Sequence, residues 1–333
     1  PALSNYFLRF PARARPLLDT IFKRETLDSS AWWQFMRKTA RDADTYPARL
    51  AALRRMRIEC MLRIAALDLI GQVTVEDTAR SLSDLADICI ATALDIATVV
   101  VQSRLGTLPT SVAVDTNVNS SSNPHQHGHQ PFVVMALGKL GGRELNYSSD
   151  IDLIFVHAGH GETVGTLRSV DAATYFTALS EELVAALDKV TDDGRVYRVD
   201  LRLRPHGRIG PLVKSAEETL NYFQAEGRTW ERQAWLKARA VAGDLALGDE
   251  FLKKLTPFIF RRYLSLDAIG DIQALKQQIE MNVARRGESE DEIKLGRGGI
   301  RDIEFTVQFM QLLYGSEHPQ TRGGNTLNAL YAL

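Results

Sequence analysis

The sequence is short of cysteine, of surplus charge and of long apolar runs. Cys60 and Cys89 are the two cysteines in 333 residues, too few for a disulfide framework and without zinc-ligand spacing. Both lie in apolar, helix-like stretches, which predicts buried free thiols and fits a reducing cytoplasm. Lys and Arg number 40 against 41 Asp and Glu, a formal net charge of −1. That balance argues against a nucleic-acid coat or a polybasic membrane binder and leaves room for a local basic site. No apolar run reaches the ~18 residues of a bilayer-spanning helix, and the N-terminus lacks a signal-peptide pattern. The chain opens on Pro1 without a methionine and stops at Leu333 inside a helical pattern, which reads as a piece of something longer.

What is present is the composition of a globular protein, 45% hydrophobic and 24% charged. Four regions are expected. Residues 1–106 read as helical: Val75 to Val101 repeats apolar residues at three and four spacing, Thr74 and Asp77 mark a helix start, and Gly106 ends the run. Trp32, Trp33 and Phe35 are expected in the core. Residues 107–131, rich in Asn, Ser and Pro, read as a linker or loop insertion. His125, His127 and His129 within it read as solvated rather than as a transition-metal site. Residues 132–240 form a mixed core, with strands at Phe132 to Leu137, Ile151 to Val156 and Tyr197 to Leu203 and a helix from Ala172 to Lys189. Helices are expected at Ala216 to Ala225 and Thr229 to Ala240. Residues 241–333 read as helical again, at Asp249 to Tyr263 (broken or kinked at Pro257), Asp267 to Arg286 and Ile300 to Leu313. The expected class is α+β, a small mixed β-sheet flanked by N-terminal and C-terminal helices.

The chemistry concentrates in GKLGGRELNYSSDIDLIF, residues 138–155. Asp150 and Asp152 stand at i and i+2 on a strand, so their carboxylates share a face. Two such carboxylates repel unless a cation lies between them, and oxygen-only donors suit Mg²⁺. Asp200, on the alternating strand, supplies a third carboxylate for a two-metal cluster. Gly141 and Gly142 allow backbone N–H groups to approach phosphate oxygens, and Ser148 or Ser149 can add a hydroxyl contact. A helical turn opening at Arg143 and Glu144 would favour an anion at its N-terminus. Arg202 and Arg204 follow Asp200 on the same strand face, and Arg202 is favoured for a phosphate or nucleotide contact. Lys237 is read either as a phosphate contact or as a surface lysine. Arg301, Asp302 and Glu304, after the glycine turn at Gly296, Gly298 and Gly299, are read as structural ion pairs between regions.

Gly-Gly followed by Ser-Asp-x-Asp and a distant third acid resembles the DNA-polymerase-β-like nucleotidyltransferases. The longer string, with YRVDLRLRPHGRIGPLV, GRTWERQAWLKARAVAG, FIFRRYL and IKLGRGGIRDIEFTVQ, resembles the glutamine synthetase adenylyltransferase/adenylyl-removing enzyme family over most of residues 40–333. Gly141-Gly142-Arg143-Glu144 and Ser149-Asp150-Ile151-Asp152 are similar to the N-terminal, adenylyl-removing copy of the family's two catalytic domains. The resemblance makes residues 132–240 the nucleotidyltransferase catalytic core. It implies phosphorolysis of the AMP-tyrosine bond of adenylylated glutamine synthetase to give ADP. Asp150, Asp152 and Asp200 would be catalytic and hold Mg²⁺ or Mn²⁺. Gly141, Gly142, Ser148, Ser149, Arg202 and Lys237 would bind phosphate or nucleotide. The implied partners are glutamine synthetase, the PII signal protein, inorganic phosphate and ADP or ATP, with no nucleic acid and no membrane. ATP-dependent adenylylation by the same domain, or a fragment that regulates without catalysing, are the alternatives.

Overall fold

Strand β1, Phe132–Leu137, is apolar at every position because both of its faces are covered. In the computed structural model, which describes residues 30–109, 131–261 and 299–333 and isolated positions before residue 20, β1 lies inside a five-stranded sheet. It pairs antiparallel with β2, Ile151–His157, on one side and with β5, Arg239–Gly243, on the other. Two short strands, β3 at Val199–Asp200 and β4 at Val213–Ser215, run parallel to the beginning and end of β2. The fold is therefore α+β with a small mixed sheet, as the residue pattern predicts.

Among the described residues, α1 at Ser30–Arg41, α2 at Tyr46–Leu69 and α3 at Val75–Leu105 precede the sheet. Thr74 and Asp77 form the expected capping box at the start of α3, and Gly106 ends it with φ +81°. Phe132, Val134 and Ala136 of β1 and Leu153 and Phe155 of β2 share one core with α2, α3 and α4, Ala172–Asp188. Cys60 and Cys89 are buried free thiols within it. The opposite face of the sheet, with Val133, Met135, Leu137, Ile154 and Val156, packs on a second core. That core comes from α5 at Ala216–Ala225, α6 at Thr229–Trp235, α7 at Leu245–Ile259 and α8 at Ile300–Tyr314. Each fully buried aliphatic or Phe side chain stabilises by about 1.5–3 kcal/mol, so the sheet is fixed from both sides. A short C-terminal helix, α9, spans Thr326–Ala332.

The structure corrects several expectations. The strand expected at Tyr197 to Leu203 is only Val199–Asp200. Tyr197, Val199 and Leu201 pack on the first core, but Leu203 packs on the second, because the chain turns there. Helix α6 ends at Trp235 rather than Ala240, and Arg239–Gly243 becomes β5. The open edge of β1 takes this strand, with Gly243 (φ +81°) so close to the Phe132 carbonyl that a Cβ would collide; a tertiary partner overrides local preference. Helix α7 continues through Pro257 and stops two residues later. Phe35 is 64% exposed rather than in the core. The side chains of Trp32 and Trp33, the His125/His127/His129 loop, Gly296, Gly298 and the helix expected at Asp267 to Arg286 lie outside the described residues.

Candidate functional site

The segment between β1 and β2 is shaped by its own backbone and fastened to the N-terminal helices. Gly138 (φ +56°) starts one helical turn, Gly138–Gly141, and Arg143 (φ +56°) ends the reversal. No helical turn opens at Arg143 and Glu144; the left-handed conformation of Arg143 prevents it. The Leu145 N–H donates to Ser83 Oγ (3.2 Å), Tyr147 donates to Asp68 (2.8 Å), and Arg143 pairs with Asp84. Asn146 then caps a polar turn, its Oδ1 accepting from Ser148 N (3.3 Å) and Ser149 Oγ (2.6 Å). This turn delivers Asp150 to the start of β2.

Asp152 is the one position of β2 that is not fully buried. Its register partner across the parallel ladder is Asp200, so the two carboxylates stand side by side. Burial first, then the negative charges of Asp200 and Asp150, push Asp152 up to about 6. Among the described residues its carboxylate forms no hydrogen bond or ion pair. It lies directly over Gly138, where an added Cβ would strike it. The other two acids are already answered. Arg198 grips Asp150 in bidentate fashion at 2.5 and 2.6 Å. Arg202 holds Asp200 through Nε at 2.8 Å and through Nη2. Burial works to raise Asp200, but the bonds from Arg202 outweigh it and leave it below the usual carboxylate range.

These residues line a cleft of about 570 Å³. Gly138, Asn146, Ser148, Ser149, Asp150, Asp152, Asp200 and Arg202 form one wall, and Arg301, Glu304 and Gln308 of α8 the opposite one. Oxygen donors with an uncompensated Asp152 among them fit a hard divalent cation. Among the described residues no three His, Cys, Asp or Glu side chains gather closely enough to enclose an ion as they stand; Arg198 and Arg202 hold two of the three carboxylates.

Several expected site residues have other neighbours. Gly141 and Gly142 are buried and do not line the cleft. A Cβ on Gly141 would meet the carbonyls of Lys237 and Ala136, and one on Gly142 the Gly324 carbonyl. Their task here is close backbone packing. Lys237 does reach the cleft wall, but it is only 5% exposed and donates to Glu144 (2.6 Å), Glu304 (3.1 Å) and Thr326 Oγ1 (2.9 Å). An ammonium has three donors, and all three are used. Glu304 thus makes an ion pair of the kind read from the sequence, joining α8 to the core. Arg204 does not extend along a strand face; it gathers the carbonyls of Leu201, Arg208, Gly210 and Pro211 and shapes the turn after Asp200. His206 packs on the ring of Tyr222.

Sequence reasoning missed Arg198, Gly138 and Gln308 as cleft residues. Arg198 had a signal, since it faces the same way as Asp200 one pleat earlier. Arg239, expected on a helix, instead bonds Asp87 of α3 at 2.7 and 2.8 Å from β5.

Residues 1–254 match the family described as glutamate-ammonia ligase adenylyltransferase. The chain belongs to that family. Residues 273–333 match the family described as GlnD PII-uridylyltransferase. Curated relatives carry the name bifunctional glutamine synthetase adenylyltransferase/adenylyl-removing enzyme. The one from Hahella chejuensis is 43% identical over 85% of this chain and 28% of its own length. Those from Pseudomonas aeruginosa and Shewanella oneidensis are 46% and 40% identical over 79% and 99% of this chain. They are covered over 25% and 33% of their own lengths, so the chain spans about a quarter to a third of the relatives it matches. For this member of the glutamate-ammonia ligase adenylyltransferase family, no helix among the described residues is long and apolar enough to cross a membrane.

Proposed function

We propose that this chain is the adenylyl-removing nucleotidyltransferase domain, taking AMP off a modified tyrosine of glutamine synthetase by phosphorolysis. The observation that supports it most is the pairing of Asp152 with Asp200 in adjacent register, with Asp150 one step away, on the wall of one cleft. Hydrogen phosphate attacks the AMP phosphorus and the bond from phosphorus to the tyrosine oxygen breaks. The proton that phosphate brought leaves on the tyrosine, so the products are ADP and a free tyrosine hydroxyl. Asp150, Asp152 and Asp200 would hold Mg²⁺ or Mn²⁺, which supplies positive charge against the phosphoryl oxygens. Ser148 and Ser149, on the turn preordered by Asn146, orient the phosphoryl group; positioning and electrostatics carry most of such a reaction. The PII signal protein belongs to the same proposal as the regulator, alongside the match of residues 273–333.

Incubating the chain with adenylylated glutamine synthetase, phosphate and Mg²⁺ tests this by the appearance of ADP. The Asp152→Asn variant is expected to lose about a thousandfold or more in rate while keeping its fold. AMP transfer from ATP to unmodified glutamine synthetase, with no ADP in the first assay, would instead assign adenylylation.

A further inference from the structure

Outside the acid cleft, along β3 and the turn after it, runs a second groove of about 420 Å³. Four arginines line it, Arg198, Arg202, Arg204 and Arg208, with Asp150 and Asp200 as its carboxylates. Arg204 is spent on backbone carbonyls. Arg208 is exposed and makes no hydrogen bond or ion pair through its guanidinium among the described residues. Arg198 and Arg202 hold Asp150 and Asp200, yet their side chains are 65% and 63% exposed. Water can replace the carboxylate at each solvated guanidinium, whereas Asp150 and Asp200, 33% and 14% exposed, need another cation in its place. The two guanidiniums stand where a divalent cation would have to be answered, and a cation that claims the carboxylates leaves them free beside Arg208.

We propose that Arg198 and Arg202 are exchangeable counter-charges, released from Asp150 and Asp200 by a divalent cation to form, with Arg208, the subsite for inorganic phosphate. Planar guanidiniums match a tetrahedral oxyanion through paired N–H donors. The groove borders the acids directly, so an anion bound there sits beside the reacting centre. The order of binding follows: cation first, phosphate second. This rests on the phosphorolytic reading above and assigns the residues that receive the attacking phosphate.

The test is binding of Mg²⁺ by calorimetry and of inorganic phosphate by equilibrium dialysis, on the 333-residue chain. Wild type is expected to bind phosphate about ten times more tightly with saturating Mg²⁺ than without it. By linkage, phosphate tightens Mg²⁺ by the same factor. Arg202→Gln and Arg198→Gln remove a competitor from the carboxylates and should tighten Mg²⁺ by up to about fivefold. The same variants should weaken phosphate by about tenfold in Mg²⁺. Arg208→Gln should weaken phosphate and leave Mg²⁺ unchanged; Arg202→Lys should recover only part of the phosphate affinity. Opposite signs for the two ligands in one variant are not produced by general loss of structure, and circular dichroism checks the fold. Phosphate affinity independent of Mg²⁺, or Mg²⁺ affinity that is unchanged or weaker in both Gln variants, overturns the proposal. Absence of ADP from adenylylated glutamine synthetase while the opposite signs persist would overturn the phosphorolytic reading and leave an oxyanion subsite standing.

Discussion

Two groups of ion pairs flank the same cleft and differ in almost every physical respect. On the α8 side, Lys237 is nearly sealed from water and meets Glu144, Glu304 and Thr326. On the β3 side, Arg198 and Arg202 are mostly solvated while they hold Asp150 and Asp200. The first group joins four distant parts of the chain: the glycine turn, the segment after α6, α8 and the start of α9. The second is local: Arg202 holds Asp200 two residues before it, and Arg198, just before β3, reaches Asp150, just before β2. A buried charge that loses its partner has no water to replace it, whereas an exposed one does. The contrast separates a cleft wall that must stay put from one whose charges can be exchanged.

The strongest challenge to that contrast is Lys237→Met. It leaves Glu144 and Glu304 without their cation and should cost about 3–5 kcal/mol in stability. Urea denaturation measures it. A double cycle with Glu144→Gln should show strong coupling, because the neutral partner no longer needs the ammonium. A loss below about 1 kcal/mol would mean that the cluster is no more structural than the arginine pairs.

Asp152 sharpens the comparison from the other wall, since it is the acid that neither group neutralises. Its pKa is raised to about 6 in the folded chain against roughly 3.9 when unfolded. The folded state therefore holds the proton more tightly, and stability falls as pH rises from about 4 to about 6. In EDTA at pH 7, Asp152→Asn should be more stable than wild type by about 1–2 kcal/mol, an advantage that vanishes near pH 4. Saturating Mg²⁺ should stabilise wild type and leave the variant unmoved. A variant less stable than wild type at pH 7 without metal would show that Asp152 has a cationic partner after all.

How much of this was legible in the sequence follows the same division. The acids were readable because strand alternation places Asp150 and Asp152 on one face. Strands β1 and β2 and helices α3, α4 and α5 were readable because their apolar patterns are clear, and α3 also because its cap is local, Thr74 with Asp77; β4, three residues long, carries too little pattern to be read. The long-range links were not. Nothing near Lys237 in the sequence points to Glu144, 93 residues earlier. Nor does any local pattern turn Arg239–Gly243 into a strand; only the waiting edge of β1 does. Gly141 and Gly142 looked like phosphate glycines because a glycine needed for backbone contact and one needed for ligand contact are the same in sequence.

The smallest expected effect is the most discriminating. In EDTA, removing the Arg198–Asp150 pair by Arg198→Gln should leave the urea midpoint almost where it was, with only weak coupling to Asp150→Asn, because the guanidinium is solvated. Raising the salt from about 0.05 to about 0.5 M should shrink that coupling further, because exposed charges are screened. The Lys237–Glu144 coupling, shielded from ions, should hardly respond. Were the Arg198–Asp150 coupling large and insensitive to salt, the guanidinium would be part of the scaffold. It could not then be exchanged for a cation at small cost, and both cleft walls would be equally fixed.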